Sequence, residues 1–523
     1  MGGFAGVIGA PGALGLARRL GRVLDARGPA SRHEIDAGDT ALVVTSSAPG
    51  APPVATVDGW TVAVDGPLHN LDALARELEL DPSVGPAAVA AQLLARLGVE
   101  RALSRLAGPV AVAAASATEG LVARDRAGER PLFLARAGRG MAFASEARAL
   151  SLAGLAGPVE PGAVRRFVAL GSVLPPVAWR QGALALAPAT RMDLRPSPRS
   201  WREWTLPVHP LLGGGNRERW LRSVRFALDL AFASRARAAK PYAIAVSGGM
   251  ASAALLAHLP VHHRPALALV LAGDEGGREA AARAGLPVKR VDIDVTALLD
   301  EVVLDAPVAT PLGLATLALA RAAWAEGMVG LALGTGHGYP FDPPGADWRA
   351  RLGRRVARRP ALEALLEGLG PLSPGDREAG VATELESLLA AAPAEEEGLA
   401  AHWVRGHARA EVDDALAACG AFGLEPVLPF VDQGVLQVAT QVPCAVHHAR
   451  GRRSLLAEVG GVASVPSLVP AVDWPATDVA AALEGWVSPD HARGVLAAGG
   501  AWAPRSFRLR SLAAWRAGSP GVG

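Results

Sequence analysis

The sequence predicts an α/β protein of two domains, the second built on a doubly wound parallel sheet. Three observations predict it. The 523 residues exceed what one hydrophobic core organises. From residue 1 to about 205, short strand-like runs recur between turn signals. From residue 206 onward, apolar runs of strand length alternate with stretches of helical period. The boundaries are therefore 1–205 and 206–523, with a helical C-terminal part in the second domain.

In the first domain, strands are expected at 40–45, 54–58, 61–65, 110–114, 121–124, 132–135 and 141–144, with helices at 71–79 and 87–97. In the second, helix 217–236 precedes strand 243–246, helix 251–258, strand 266–271, helix 277–284 and strand 288–293. A helix at 310–326 then leads to a strand at 329–333. Residues 350–400 read as helices with a connection. Residues 401–460 and 485–523 read as helical, and Arg505, Arg508, Arg510 and Arg516 read as a solvated basic face.

Half of the residues are apolar, and the 60 Gly and 41 Pro show no period, so the chain is neither collagen-like nor disordered. A net charge of +2 gives no global reason for binding nucleic acid or a membrane. Cys419 and Cys444 are the only cysteines, too few for a disulfide framework and not at metal-ligand spacing. No zinc is expected. The start, Met1-Gly2-Gly3-Phe4, lacks the pattern of a secretion signal, so a cytoplasmic location is expected.

The chemistry-bearing stretch is Tyr242–Ser252, read Y-A-I-A-V-S-G-G-M-A-S. An apolar strand enters Ser247-Gly248-Gly249 and leaves as a helix. Glycines there let main-chain N–H groups approach phosphate oxygens, and a helix N-terminus favours negative charge. Ser247, Gly248, Gly249 and Ser252 are the candidate nucleotide-binding residues of this loop. Asp274 and Glu275 are candidate acids, though such a pair is commonly a solvated loop. His337 reads as a partly exposed turn histidine.

Landmarks occur in an order that resembles class B asparagine synthetases and their relatives, the β-lactam synthetases and lasso-peptide macrolactam cyclases. They are Ala26-Arg27-Gly28-Pro29-Ala30, Asp65-Gly66-Pro67-Leu68-His69-Asn70, the run from Ala123 to Phe133, and Phe143-Ala144-Ser145-Glu146. Late in the chain, Gly423-Leu424-Glu425 to Asp432 continues the series. The resemblance covers residues 1 to about 475. It implies an N-terminal-nucleophile αββα sandwich followed by a PP-loop ATP pyrophosphatase-type sheet. It also identifies Gly334 and Gly336 as the glycine skeleton of a second nucleotide loop. In the family frame, Arg124-Asp125-Arg126 is a structural ion-pair region.

The resemblance also marks losses. Where glutamine-using members carry a cysteine nucleophile, this chain has Gly2. The two Asp that hold Mg²⁺ in the family correspond to Ala251 and Gly338, and the Glu of the second loop to Tyr339. Neither alanine nor glycine offers Mg²⁺ an oxygen ligand. Lys240 and Lys289 are the only lysines. The late phosphate-binding lysine of the family therefore has only Arg452 or Arg453 to stand in for it.

ATP and Mg²⁺ are thus the family's cofactors, with binding here doubtful on these residues and no metal assigned. The expected function is a degenerate synthetase acting as a non-catalytic partner of an active paralogue or of a precursor peptide. The alternatives are an active acyl-adenylate ligase recruiting acids such as Asp274, Glu275 or Asp342, and a nucleotide- or peptide-binding protein without turnover.

Overall fold

Alternation along the first strand sets the layering of the first unit. In β1 (Gly3–Ile8), Phe4 and Ile8 face one buried cluster while Ala5 and Val7 face another. Gly6 faces the Phe143 ring, and a Cβ there would stand 2.5 Å from it. The computed structural model describes residues 2–46, 52–81, 83–195, 197–202, 216–341, 409–443, 446, 455–461, 472, 474, 477–498 and 503–518. They form two compact units. The first takes residues 1–160, 174–205 and 419–425; the second takes 161–173, 206–418 and 426–523.

The first unit holds two six-stranded sheets. One has the order β10 (Leu184–Ala185), β8 (Phe133–Ala137), β9 (Gly140–Ala144), β1, β3 (Thr40–Ser46), β2 (Ser31–Asp36). The other has the order β12 (Arg199–Arg202), β11 (Thr190–Arg195), β7 (Gly120–Arg124), β6 (Ala111–Ala115), β5 (Trp60–Asp65), β4 (Val54–Val57). Phe4, Leu42 and Phe143 of one sheet share a core with Ala113 and Val122 of the other. The Phe4 and Phe143 ring centroids lie 5.1 Å apart. Each such buried aromatic stabilises the sandwich by about 1.5–3 kcal/mol. The outer face of the first sheet packs on α1 (Ala13–Val23) and α5 (Ala147–Leu152). The outer face of the second is covered by α2 (Leu71–Glu77), α3 (Pro86–Leu97) and α4 (Val99–Arg105). The layers therefore run helix, sheet, sheet, helix.

The second unit contains α6 (Pro161–Leu170) and a five-stranded sheet. Its order is β15 (Val288–Val291), β14 (Leu267–Leu271), β13 (Tyr242–Ala245), β16 (Gly330–Ala332), β17 (Glu425–Val427). The pairs β13–β14, β13–β16 and β14–β15 are parallel. Around the sheet run α7 (Arg217–Ala238), α8 (Met250–Ala257), α9 (Glu275–Arg283), α10 (Val295–Glu301) and α11 (Pro311–Ala325), with the short α12 (Gly338–Phe341) after β16. Asp414 is buried in the helix Arg409–Ala421. It accepts from the main-chain N–H groups of Ala309 and Thr310 at 2.9 and 3.0 Å and from Thr310 Oγ1 at 2.8 Å. It thereby fixes the residue that caps α11.

Three expectations need correction. The stretch 401–460 is not wholly helical among its described residues, because Glu425–Val427 adds a strand beside β16. The late arginines are not a solvated face. In the helix Ala503–Gly518, Arg505 is fully buried, and Arg508 Nη1 donates to the carbonyls of Val168 and Ala169 at 3.2 and 2.9 Å. These carbonyls end α6, where a cation is favoured. The Arg124-Asp125-Arg126 run is structural, but it works through the main chain. The Arg124 guanidinium donates to the carbonyls of Arg130, Leu186 and Gly128, and Asp125 accepts from Glu129 N and Arg130 N. Residues 350–400 lie outside the described residues.

Candidate functional site

In the first unit, the ground around residue 2 is closed by the main chain. Gly3 N donates to Thr45 Oγ1 at 2.9 Å, which seats β1 on β3. Arg27 Nε donates to the Gly2 carbonyl at 3.2 Å, and Arg27 Nη1 pairs with Glu146 at 3.0 Å. A Cβ on residue 2 would stand 2.1 Å from the Thr45 carbonyl oxygen and 3.2 Å from Asp65 Oδ1. A main-chain oxygen cannot rotate aside, so a side chain at residue 2 requires β3 to move. Asp65 is itself buried.

Beside this ground lies a buried charge network. Arg130 is fully buried. Its Nε donates to the Pro109 carbonyl at 2.9 Å, and its Nη2 pairs with Glu425. Its Nη1 is buried and has no hydrogen-bond partner among the described residues. Burial disfavours the guanidinium charge, but Glu425 and Asp65 outweigh that and hold its pKa above the ordinary value. Burial likewise pushes the Glu425 carboxyl up, and Arg130, by charge and hydrogen bond, together with the N-terminal amine and His69 more than reverses it, leaving Glu425 below the ordinary value. Glu425 arrives with the segment 419–425, a late part of the chain that belongs to the first unit. The same segment brings Cys419, the cysteine among the described residues. Its thiol is buried, and that burial pushes its pKa up to about 12. A thiol so rarely ionised is no nucleophile near neutral pH. Cys444 lies outside the described residues.

In the second unit, β13 and β16 are parallel neighbours, so the loops leaving them emerge side by side at one sheet edge. After β13, Ser247 N donates to Ser252 Oγ at 2.9 Å, the two serine hydroxyls meet at 3.0 Å, and Gly249 N lies 3.3 Å from Ser247 Oγ. The serines thus close the turn on itself and launch α8. Gly248 is exposed at the tip. After β16, a Cβ on Gly334 would stand 2.8 Å from the Ala251 methyl, so the two loops touch. Gly336 adopts φ +87° and passes Val431, where a Cβ would stand 2.4 Å from Cγ1. Phe341 anchors the second loop edge-on to Phe430, with ring centroids 5.7 Å apart.

The structure therefore brings Ser247, Gly248, Gly249, Ser252 and Gly334 together, with Gly336 two residues further on. It also separates two of the altered positions by environment. Ala251 is 5% exposed and belongs to the apolar core of the unit. Gly338 is exposed, with nothing within 4 Å of where its Cβ would be. Tyr339 follows in α12. His337 is part-buried, and its Nδ1 lies 2.8 Å from the Gly334 carbonyl oxygen, a turn histidine as expected. Asp274 Oδ1 accepts from Gly277 N at 2.8 Å and caps α9, while Glu275 pairs with Arg278. Their roles are local. Arg452, Arg453 and Asp342 lie outside the described residues.

No group of three His, Cys, Asp or Glu among the described residues is placed to hold a metal ion. At the exposed turn before α8, the N–H groups of Ser247 and Gly249 are directed at the Ser252 and Ser247 hydroxyls. Sequence reading missed the membership of 419–425 in the first unit and the pairing of Arg130 with Glu425. Both residues stood in the quoted motifs, but nothing in their spacing joins them.

Residues 1–205 match the family model described as a glutamine amidotransferase domain. No curated protein matches the chain. Among solved structures, the glutamine phosphoribosylpyrophosphate (PRPP) amidotransferase from B. subtilis complexed with ADP and GMP is similar over 55% of this chain and 65% of that one. The identity is 16% and the TM-score 0.30. A structure described as the allosteric regulatory enzyme of purine biosynthesis gives the same coverage and identity with a TM-score of 0.31. The chain thus spans 65% of the length of each. No helix among the described residues is long and apolar enough to cross a membrane.

Proposed function

We propose that the protein is an asparagine-synthetase-like member of the ATP-dependent amide- and lactam-forming ligases that has lost catalysis. It serves as a non-catalytic partner in the assembly of a peptide natural product of lasso type. It would act beside an active synthetase paralogue or on the precursor peptide, in the cytoplasm. The observation that carries this reading is Ala251, which is packed into the core where the resemblance puts a metal-binding carboxylate. The space at residue 2, where the Thr45 carbonyl stands 2.1 Å from any added Cβ, bears on glutamine hydrolysis alone. Neither position has merely lost a functional group; main chain or core packing now holds the ground. Random decay would not be expected to leave a paired, well-packed sandwich with an amidotransferase match around such a site.

The test is ATP–pyrophosphate exchange by the pure protein across a panel of carboxylate substrates, with and without Mg²⁺. The expected result is no exchange. Mg²⁺-dependent exchange would overturn the reading in favour of an active acyl-adenylate ligase. A second reading, binding of a nucleotide without turnover, is favoured by the exposed Gly248 turn at the N-terminus of α8. Calorimetry with ATP in the absence of metal measures it directly, and a flat titration removes it.

A further inference from the structure

We propose that the outward face of α7 is a docking surface for an acidic amphipathic helix of a partner protein. The 22 residues of α7 bury Trp220, Val224, Leu228 and Phe232 toward the core. On the opposite side Phe226 is 71% exposed and Leu230 63% exposed. They stand at i and i+4, side by side on one helical face. Leu152, Val261 and Trp324 are also exposed, but each is a single side chain on its own element, which soluble proteins tolerate freely. The α7 pair is different because it repeats at helical spacing.

Charge says what fits it. Arg219 and Arg222 lie on the same face one to two turns ahead of Phe226, and neither makes an ion pair among the described residues. Arg237 follows near the other end. At 1.5 Å per residue, Arg219 to Arg237 spans about 27 Å, the length of roughly five helical turns. Asp229, the acid between the two apolar residues, is already engaged by His258 Nδ1 at 2.6 Å. The face is therefore a short apolar centre preceded by two arginines that make no ion pair among the described residues. A helix carrying apolar residues at i, i+3 and i+4 and flanked by Glu or Asp matches both features. A membrane surface is the poorer match: two apolar side chains on a helix whose other side is committed to a core bury too little area for stable interfacial binding. The proposal rests on the non-catalytic-partner reading and names the chemistry of what that partner presents.

The test uses the full chain and a fluorescein-labelled 18-residue peptide with leucines on one helical face and glutamates elsewhere. Its counterpart carries lysine in place of each glutamate. Fluorescence anisotropy should show saturable binding of the glutamate peptide that weakens with salt. Phe226→Asp should weaken it about tenfold. Arg222→Glu should weaken it and flatten the salt dependence, with the thermal melt unchanged in both variants. Equal binding of the two peptides, or binding indifferent to Phe226→Asp, overturns the proposal. Self-association that Phe226→Asp abolishes, read by light scattering, assigns the face to a second copy instead. Binding to phosphatidylserine vesicles without binding of the peptide assigns it to a membrane. Mg²⁺-dependent pyrophosphate exchange would sink the non-catalytic reading while leaving peptide binding intact, so the two failures are separable.

Discussion

Residue 2 and residue 338 are both glycines where the resemblance leads one to expect a reactive side chain, yet they sit in opposite surroundings. At residue 2 a Cβ meets the Thr45 carbonyl at 2.1 Å. At residue 338 it meets nothing within 4 Å. The first faces the main chain of a neighbouring strand, whereas the second is open to solvent. The same residue type therefore has two consequences: inside the sandwich an added side chain has no room, and on the loop it has.

Breaking the closed region should cost most. Arg130→Ala removes a fully buried guanidinium together with its contacts to Glu425 and the Pro109 carbonyl, and should destabilise the protein by about 3–5 kcal/mol in urea denaturation. A loss below about 1 kcal/mol would mean that the network does not hold the first unit. Gly2→Cys should cost about 1–3 kcal/mol from overpacking against β3, and it should release no ammonia from glutamine. A Gly2→Cys protein with glutaminase activity would show that the site is open after all. In the second unit, Ala251→Asp should cost about 1–2 kcal/mol, since the carboxylate enters an apolar core beside Gly334. Gly338→Asp should stay within about 0.5 kcal/mol of the parent. If Gly338→Asp proves the more damaging of the two, the contrast between closed and open ground fails. The double variant carrying both aspartates tests the loop assignment, because Mg²⁺–nucleotide affinity should rise only if these loops face a common phosphate site.

Two buried acids extend the contrast to pH. Glu425 has its pKa pulled below the ordinary value by Arg130, against burial. Its contribution to stability is present above the unfolded carboxyl value and is lost as pH falls through the folded one. Asp414 faces neutral donors, and burial pushes it up to about 7 against the hydrogen bonds from Ala309 and Thr310. The folded state then holds a proton that the unfolded chain has released, so this contribution is full below the ordinary aspartate value of 3.8 and declines as pH rises to about 7. Asp414→Asn should flatten the stability profile across that window, measured by denaturation at stepped pH, and Arg130→Ala should not. An unchanged profile in the Asn variant would refute the protonated state of Asp414.

Much of the fold was legible. The parallel strands of the second unit and the helices α7, α8, α9 and α11 announced themselves by period and length, since strands buried on both faces read as apolar runs. β1 did not, because its glycines look like a turn until Phe143 is seen packed against Gly6. β17 did not, because three residues between helices carry no readable period. The serine–glycine loop, with Ala251 in it, was readable residue by residue. What was hidden was space: no letter distinguishes a glycine sealed by a carbonyl from one in solvent. The buried late arginines were hidden for a related reason, since the α6 carbonyls that satisfy Arg508 lie more than 300 residues earlier.

The pairing of Arg130 with a residue 295 positions downstream has a consequence for biosynthesis. A ribosome that has released residue 205 has made both sheets but not the acid that neutralises their buried guanidinium. Until residue 425 emerges, the nascent sandwich has Asp65 and Glu129 near the Arg130 guanidinium but lacks its ion-pair partner. Its final pairing is therefore tied to translation through residue 425. A fragment ending at residue 205 should be soluble only transiently, and adding the helix and segment through residue 425 in trans should rescue it.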